Sequence, residues 1–319
     1  MIGKSNTVDM MGNKVVVTGI TSFVGVHLAR TFAAAGWDVV ATHSRAIAAY
    51  DGIQKDRMMV VPGRLAQLDL CDETAVATFV AAERPDLWVH HAGHATDYGS
   101  LDYDLMGSLV VNVQPLTGLY RALAEAGCGG VLISGSSMEY AVGDQPNAED
   151  EACWPDTPYG LSKLAETLAA RQLAQRFNLS TRVARIYIPF GPFDNPRKLL
   201  SQVVSGLRRG ERVKLSPCQQ RRDFIGVGDL AGGYLALAAD LGRGGFDIFN
   251  LCSGVALPLA QLLATLADRM GADPALLDFG AIGMRPGEPE ISVGNPAKAR
   301  RLLGWTARAP LDALAELLA

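Results

Sequence analysis

Short apolar segments alternate with longer amphipathic segments from Lys14 onward. Apolar, β-branched runs bounded by turn residues predict buried strands, and apolar residues at helical spacing predict helices. The pattern predicts strands at 14–18, 38–42, 65–70, 87–91, 131–134 and 181–187. It predicts helices over 23–35, 72–83, 102–126 and 158–177. This order is typical of an α/β fold, a doubly wound parallel sheet with helices on both faces.

The alternation becomes less regular after Gly191, where proline and glycine are more frequent. Helices are predicted over 196–209, 228–240, 258–270 and 310–318, and strands at 213–215, 223–225 and 246–249. We therefore expect a flexible N-terminal tail (1–13), a doubly wound domain (14–190) and a smaller C-terminal α/β lobe (191–319), with some chain crossing back to the first domain. Ligands bind at the carboxyl ends of such strands, so we expect a cleft there.

Composition excludes several classes of protein. The 319 residues are 49% hydrophobic and 19% charged, which excludes a disordered chain. A net charge of -4 offers no basic surface for nucleic acid. The five cysteines have no CxxC spacing, so neither a disulfide framework nor a structural zinc site is expected. Without an apolar run of about 20 residues or a signal-peptide pattern, we expect no membrane span and a cytoplasmic location.

A glycine-containing turn, Thr18-Gly19-Ile20-Thr21-Ser22-Phe23-Val24-Gly25, joins the first strand to the first helix. Such a turn lets the backbone approach a pyrophosphate at the positive end of the helix. The literal GxGxxG pattern is absent, and an ordinary strand-to-helix turn is the alternative. The position of the turn favours dinucleotide binding. The candidate cofactor residues here are Gly19, Thr21, Ser22, Phe23, Val24 and Gly25.

The end of the second strand bears on the choice of dinucleotide. An NAD enzyme usually places a carboxylate there for the ribose 2′-hydroxyl, whereas arginine accommodates a 2′-phosphate. The stretch Ala41-Thr42-His43-Ser44-Arg45 has no carboxylate. Ser44 and Arg45 are therefore candidate phosphate ligands, and NADP(H) is favoured over NAD(H). The alternative is that Arg45 is a solvated loop residue.

Three histidines, His90, His91 and His94, invite a metal-site interpretation. Adjacent residues of a strand point to opposite faces of the sheet, so His90 and His91 would not converge on one ion. A zinc site also needs further ligands nearby. We therefore expect no metal.

The strongest chemical signal is Tyr159-Gly160-Leu161-Ser162-Lys163, because residues four apart lie on one face of a helix. An ammonium group nearby favours the phenolate and suits the tyrosine to proton exchange with a carbinol or carbonyl oxygen. A chance pair at this spacing is the alternative. Gly135-Ser136-Ser137-Met138-Glu139-Tyr140 follows the fifth strand and supplies a candidate hydroxyl.

Together these segments resemble the extended short-chain dehydrogenase/reductases of the NAD-dependent epimerase/dehydratase family, from about Lys14 to Ala319. The turn is similar to TGxxGxxG with Ser22 at the middle glycine, and the later segments are similar to GSSxEYG and YxxxK. The resemblance implies a Rossmann-type domain, a homodimer and catalytic roles for Ser136, Tyr159 and Lys163. It also implies cofactor contacts from Asp69, Leu70, His91, Ala92, Gly93, Asn112, Tyr159, Lys163, Ile186 and Ile188.

The resemblance further implies that the C-terminal lobe binds a nucleoside-diphosphate sugar. Gln220–Ile225 resembles the family's QxRDFI segment, and Arg285–Glu288 resembles its RPGE segment. Arg222 and Arg285 would hold the diphosphate through charge-assisted hydrogen bonds, and Ser137 is a further substrate candidate. Ile188 stands where the family has an asparagine that meets the diphosphate.

Three reactions are common on this scaffold. A 4,6-dehydratase has acidic residues where this chain has Ser137 and Met138, which disfavours dehydration. A 4-epimerase retains NAD and favours an acidic residue after the second strand. We expect NADPH-dependent reduction of the C4 keto group of a nucleoside-diphosphate 4-keto-6-deoxyhexose, as in deoxysugar biosynthesis, with NAD-dependent 4-epimerisation as the alternative. A non-enzymatic dinucleotide sensor is disfavoured because the Tyr159/Lys163 pair is present.

Overall fold

The computed structural model describes residues 13–284 and 288–318. The strands are β1 (Lys14–Thr18), β2 (Asp38–His43), β3 (Arg64–Gln67), β4 (Leu87–His90), β5 (Gly130–Ser136), β6 (Thr181–Ile186), β7 (Ile188–Phe190), β8 (Val213–Leu215), β9 (Arg221–Gly226), β10 (Phe246–Leu251), β11 (Ala256–Pro258), β12 (Leu277–Phe279) and β13 (Ile291–Ser292). The α-helices are α1 (Phe23–Ala34), α2 (Gly52–Met59), α3 (Glu73–Glu83), α4 (Leu105–Asn112), α5 (Leu116–Ala126), α6 (Pro158–Phe177), α7 (Leu199–Arg208), α8 (Val227–Asp240), α9 (Leu259–Arg269), α10 (Ala297–Leu303), α11 (Pro310–Ala313) and α12 (Ala315–Leu318).

Seven strands form one parallel sheet in the order β10-β6-β5-β4-β1-β2-β3. Its central strands are buried on both faces because helices cover both sides. Alternate residues of β1 enter different cores: Val15 and Val17 pack with α1 and α8 on one face, and Val16 packs with α3 and α5 on the other. The predicted doubly wound α/β fold is confirmed.

The C-terminal half of the chain contributes to the main sheet. Strand β10 pairs in parallel with β6 along its whole length, Phe246 opposite Thr181 and Leu251 opposite Ile186. Helix α8 packs against α1 on one face of the same sheet. The remaining C-terminal strands form smaller sheets, in which β9 pairs with β7, β11 and β13, and β8 pairs with β12. Helices α7 and α9 cover a third apolar core beside them.

The prediction of one helix over 102–126 is wrong. The structure has two helices, α4 and α5, separated at Val113–Pro115. Pro115 lacks an N–H and its ring clashes with the preceding turn, so one helix cannot continue through it. The predicted C-terminal helix is likewise split into α11 and α12 at Leu314. The sequence pattern missed α2, α10 and the short strands β7, β11, β12 and β13.

No helix among the described residues is a candidate membrane span. None of these helices combines the length and the apolar composition that a bilayer crossing requires.

Candidate active site

One cleft of about 1020 Å³ lies at the carboxyl ends of the parallel strands. Most predicted site residues line it: Gly19, Thr21, Ser22, Phe23, Val24, Ser44, Asp69, Leu70, His91, Ala92, Gly93, Ser136, Ser137, Tyr159, Lys163, Ile186, Ile188 and Arg222. Three others, Gly25, Arg45 and Asn112, are not part of its lining. Arg285 lies outside the described residues.

The turn between β1 and α1 has the shape of a pyrophosphate cradle. Gly19 has φ +73°, and a Cβ there would come within 2.9 Å of the Ala92 nitrogen. A Cβ on Gly25 would lie 2.3 Å from the Gly19 oxygen. The Ser22 hydroxyl caps α1 by accepting a hydrogen bond from the Gly25 N–H at 2.9 Å. A close turn at a helix N-terminus fits the pyrophosphate of a dinucleotide.

At the end of β2, His43 and Ser44 line the cleft. The Arg45 guanidinium instead stacks 4.5 Å from the centre of the Tyr50 ring and donates to the Gln54 Oε1 at 3.3 Å. No carboxylate follows β2 in the stretch 41–45, where a ribose 2′-hydroxyl would be recognised.

Arg57 of α2 is a cleft residue that sequence reasoning missed. Its buried guanidinium donates to the Thr21 carbonyl at 2.7 Å and to the Phe193 carbonyl at 2.9 and 2.7 Å. It therefore joins the glycine turn to a loop from the C-terminal half and adds a positive charge to the cleft. These acceptors lie 36 and 136 residues away in the sequence, so no local pattern reveals the contact.

Of the three candidate metal ligands, His90 and His91 occupy separate environments. His90 is buried beside Trp88, and the ring nitrogens of His91 contact the Ser22 and Ser134 hydroxyls at 2.9 and 2.7 Å. Burial, followed by the charge of Lys163, lowers the pKa of both His90 and His91 to about 3, so both are neutral near pH 7. Over 13–284 and 288–318, no group of three His, Cys, Asp or Glu side chains is placed to hold a metal ion.

Tyr159 and Lys163 lie in the first two turns of α6, where both line the cleft. The Thr157 hydroxyl caps this helix by accepting from the Gly160 N–H at 3.1 Å, and Pro158 occupies its first position. The Tyr159 ring packs against Tyr98 and Tyr103, each at a centroid distance of 5.6 Å. Burial raises the pKa of the Tyr159 phenol against the opposing charge of Lys163, so the phenol is held as a proton donor.

A buried carboxylate behind Lys163 was not predicted. Glu166 forms an ion pair with the Lys163 ammonium one turn along α6, and its other oxygen lies 3.8 Å from the His90 Nε2. Burial raises the pKa of Glu166 to about 7. The i,i+3 spacing in the sequence was the available signal for the pair. Glu166 thus fixes the position of the ammonium group that faces the cleft.

Ser136 ends β5, and its hydroxyl accepts a hydrogen bond from the Met138 N–H at 3.1 Å. The fully buried Glu139 accepts from the Ser136 N–H at 2.8 Å and from the Arg185 Nε at 2.9 Å. Glu139 is therefore a structural support of Ser136 and does not line the cleft.

Arg222 of β9 also lines the cleft. Its Nη2 donates to the Glu288 carboxylate at 3.1 Å and to the Pro289 carbonyl at 2.7 Å. Arg222 and the segment that follows the undescribed Arg285 thus lie side by side. Asn112, predicted as a cofactor residue, is buried instead: its Oδ1 accepts from the His94 N–H at 2.7 Å and its Nδ2 donates to the Ser162 hydroxyl at 2.9 Å.

Known proteins align with this chain over nearly its whole length, with about a quarter of the residues identical. UDP-glucose 4-epimerase of Bacillus subtilis (strain 168) is 25% identical over 326 residues, which cover 93% of each chain. GDP-6-deoxy-D-mannose reductase of Pseudomonas aeruginosa is 26% identical over 307 residues, which cover 92% of each. The solved structure of MoeE5 in complex with UDP-glucuronic acid and NAD matches with a TM-score of 0.80 and 25% identity, covering 96% of this chain and 98% of that one.

The sequence profile of the NAD dependent epimerase/dehydratase family matches residues 15–252, well over half of the chain. The glycine turn, the Tyr159/Lys163 pair and the sheet order agree with that match. The chain therefore belongs to the NAD dependent epimerase/dehydratase family and is an enzyme of the extended short-chain dehydrogenase/reductase type.

Proposed function

We propose that the enzyme uses NADPH to reduce the C4 keto group of a nucleoside-diphosphate 4-keto-6-deoxyhexose. The observation that carries the proposal is the end of β2, where His43 and Ser44 face the cleft and residues 41–45 include no carboxylate. Residues 41–45 place no negative side chain beside a 2′-phosphate, and the Arg57 guanidinium lies in the same cleft, with the Asp194 carboxylate near it. The likeness to a GDP-6-deoxy-D-mannose reductase supports the substrate class.

The chain's own residues would manage the proton of this reaction. The dinucleotide, when bound, supplies the hydride that adds to the C4 carbon. The Tyr159 hydroxyl donates the proton that the C4 oxygen then needs, and the Ser136 hydroxyl donates a hydrogen bond to the same oxygen. The Lys163 ammonium, held by Glu166, stabilises the phenolate that remains on Tyr159.

The proposed cofactor ligands are the residues at the carboxyl ends of β1 to β6 that line the cleft. Ser44 takes the 2′-phosphate in this proposal, and Arg45 reaches it only by leaving the Tyr50 ring. Ser137 and Arg222 are the proposed substrate ligands among the described residues, with Arg285 from the adjoining segment. In this assignment residues 14–190 supply the dinucleotide site, and residues 191–319 supply the substrate lobe, apart from β10 and α8, which cross back to the main sheet.

NAD-dependent 4-epimerisation is the second candidate, supported by the likeness to the Bacillus subtilis UDP-glucose 4-epimerase and to MoeE5, whose structure holds NAD. Dehydration is a poorer candidate because Glu139, the nearest carboxylate in the GSS segment, is enclosed by Ser136, Thr167 and Arg185. Without an acid and a base beside the sugar, water cannot be eliminated across carbons 5 and 6.

The two candidates differ in whether the cofactor is consumed. The purified protein is denatured and any released nicotinamide nucleotide is identified. Fresh protein is then given NADPH with 4-keto-6-deoxy sugars on different nucleotides, and NADPH oxidation is followed by absorbance. Stoichiometric NADPH oxidation with one of these sugars is expected. Tightly retained NAD, with no NADPH oxidised by any of them, would establish the epimerase instead.

A homodimer in the cytoplasm completes the proposal. Helices α4 and α6 pack side by side and expose apolar side chains: Met106, Val110, Leu161 and Leu168. Their exposed fractions run from 46% to 71%. A second copy of the chain, presenting the same two helices, would cover this apolar face through a self-complementary interface.

A further inference from the structure

A line of hydrogen bonds runs from the glycine turn into the protein interior. The Ser22 hydroxyl lies 2.9 Å from the His91 Nε2, and the His91 Nδ1 lies 2.7 Å from the Ser134 hydroxyl. The Ser134 hydroxyl lies 2.6 Å from the hydroxyl of Tyr234 on α8. We call Tyr234, Ser134, His91 and Ser22 the tyrosine relay. Its inner end is fully buried and its outer end lines the cleft.

The protons of the tyrosine relay can be arranged in two directions. His91 is neutral near pH 7, since burial and Lys163 lower its pKa to about 3, so its ring has one donor and one acceptor. In the inward direction, Ser22 donates to the His91 Nε2, the Nδ1–H donates to Ser134, and Ser134 donates to Tyr234. The Tyr234 proton then has no acceptor among the described residues, although this side chain is fully buried.

In the outward direction, every buried donor of the tyrosine relay has an acceptor. Tyr234 donates to Ser134, Ser134 donates to the His91 Nδ1, and the His91 Nε2–H donates to the Ser22 oxygen. That oxygen also accepts from the Gly25 N–H at 2.9 Å, so both of its lone pairs are filled. Buried donors are nearly always paired, which favours the outward direction. The single proton left over is that of the Ser22 hydroxyl, at the cleft.

We propose that Ser22 donates this proton to a pyrophosphate oxygen of the bound dinucleotide, and that the tyrosine relay holds and polarises the hydroxyl for that bond. Hydrogen bonds to an anion are stronger than neutral ones, and a chain of aligned bonds strengthens its last member. Ser22 would thereby add a side-chain donor to the backbone N–H groups that the start of α1 offers to an anion. The inference needs only a bound dinucleotide and stands whether the enzyme is a reductase or an epimerase.

The tautomer of His91 tests the direction without any ligand. The full chain is labelled with ¹⁵N-histidine, and the His91 signals are assigned by their loss in a His91→Gln variant. Proton–nitrogen NMR at neutral pH is expected to show a protonated Nε2 and an unprotonated Nδ1. A protonated Nδ1 would exclude the outward direction and overturn the proposal.

Binding measurements test the ligand role. Ser22→Ala is expected to raise the Kd for ADP-ribose, which contains a pyrophosphate, about tenfold, and to change the Kd for adenosine less than twofold. Calorimetric titration gives both values, and circular dichroism checks the fold. Ser22→Ala also removes the cap of α1, so a general loosening of the turn would weaken both ligands alike. Equal weakening, or an unchanged Kd for ADP-ribose, would refute the donor role.

The buried end of the relay supplies a sharper control. Tyr234→Phe is expected to weaken ADP-ribose binding about threefold in the wild-type background and not further in Ser22→Ala, because the two changes act on one bond. Tyr120→Phe is the matched control: Tyr120 is equally buried, its hydroxyl bonds Thr181 at 3.2 Å, and it packs in the other core. It should leave the Kd unchanged. Additive losses from Ser22 and Tyr234, or an equal loss from Tyr120→Phe, would contradict the relay.

Discussion

In the proposed reaction, the protonation state of Tyr159 sets whether this residue can act as an acid or as a base. Tyr159 is enclosed by Tyr98 and Tyr103, and burial raises the pKa of its phenol. A protonated phenol is the acid that carbonyl reduction requires. A bound oxidised dinucleotide would add positive charge near the phenol and favour its ionisation, as alcohol oxidation requires.

Tyr159→Phe is expected to lower turnover about 1000-fold, because the ring is kept and only the proton donor is lost. The Kd for NADPH should change little. Steady-state kinetics with the keto sugar and a fluorescence titration of NADPH measure the two effects. Retention of substantial activity would show that another group protonates the sugar oxygen.

His90 provides a pH-dependence that can be checked without substrate. Burial and the charge of Lys163 lower its pKa from 6.5 to about 3. Between these two pH values, His90 is protonated in the unfolded chain and neutral in the folded protein. The stability contributed by neutral His90 is fully present above pH 6.5 and is lost as the pH falls toward 3. The unfolding free energy of His90→Gln should therefore fall less steeply with decreasing pH than that of the wild type. The difference between the two slopes should be about 1.4 kcal/mol per pH unit in this window. Urea titrations at pH 6, 5 and 4 give the slopes, and equal slopes would contradict the shift.

Site residues whose placement depends on local geometry could be predicted from the sequence. Tyr159 and Lys163 face one cleft because they are four residues apart on one helix, and the glycine turn follows directly from a strand and a helix start. The contacts of Arg57 and of the tyrosine relay could not be predicted from the sequence. Ser134 and Tyr234 are 100 residues apart, and only the folded sheet brings them together.

Among the elements, α6 shows which boundaries a sequence can define. Its predicted and observed bounds coincide, since Thr157 caps it, Pro158 starts it, and Asn178 ends it in the left-handed conformation. The helix predicted over 102–126 was wrong because its apolar pattern continued through Pro115. Strand β10 was predicted as a segment, yet its pairing with β6 rests on contacts between distant parts of the chain.

The cap of α6 should matter to activity as well as to stability, because Tyr159 lies in its first turn. Thr157→Ala removes the acceptor of the Gly160 N–H and is expected to lower the unfolding free energy by about 1 kcal/mol. Fraying around Tyr159 should lower kcat about tenfold. Urea unfolding and steady-state kinetics measure the two effects.

Asp72 is the matched control, since it caps α3 through the Ala75 N–H at 2.9 Å and does not line the cleft. Asp72→Ala should cost a similar stability with kcat unchanged. The link between the α6 cap and catalysis would be refuted if Thr157→Ala kept the wild-type kcat. It would also be refuted if Asp72→Ala lowered kcat.

At the scale of the whole molecule, the exposed apolar face of α4 and α6 predicts association. Replacing both Leu161 and Leu168 with Glu should convert a dimer to a monomer, because charges would have to be buried at the interface. Light scattering coupled to size-exclusion chromatography measures the mass. Met59→Glu changes a still more exposed apolar residue on α2 and should leave the dimer intact. A monomeric wild-type protein would refute the interface.

Strand β10 has a consequence for how the protein is made. The ribosome releases β6 well before residues 246–251, so the nascent sheet carries an open edge on β6 while the intervening segments are synthesised. Open strand edges are templates for pairing with other chains. We expect chains truncated near residue 190 and released from the ribosome to depend on chaperones, and chains that extend past residue 251 to lose that dependence once β10 has docked on β6.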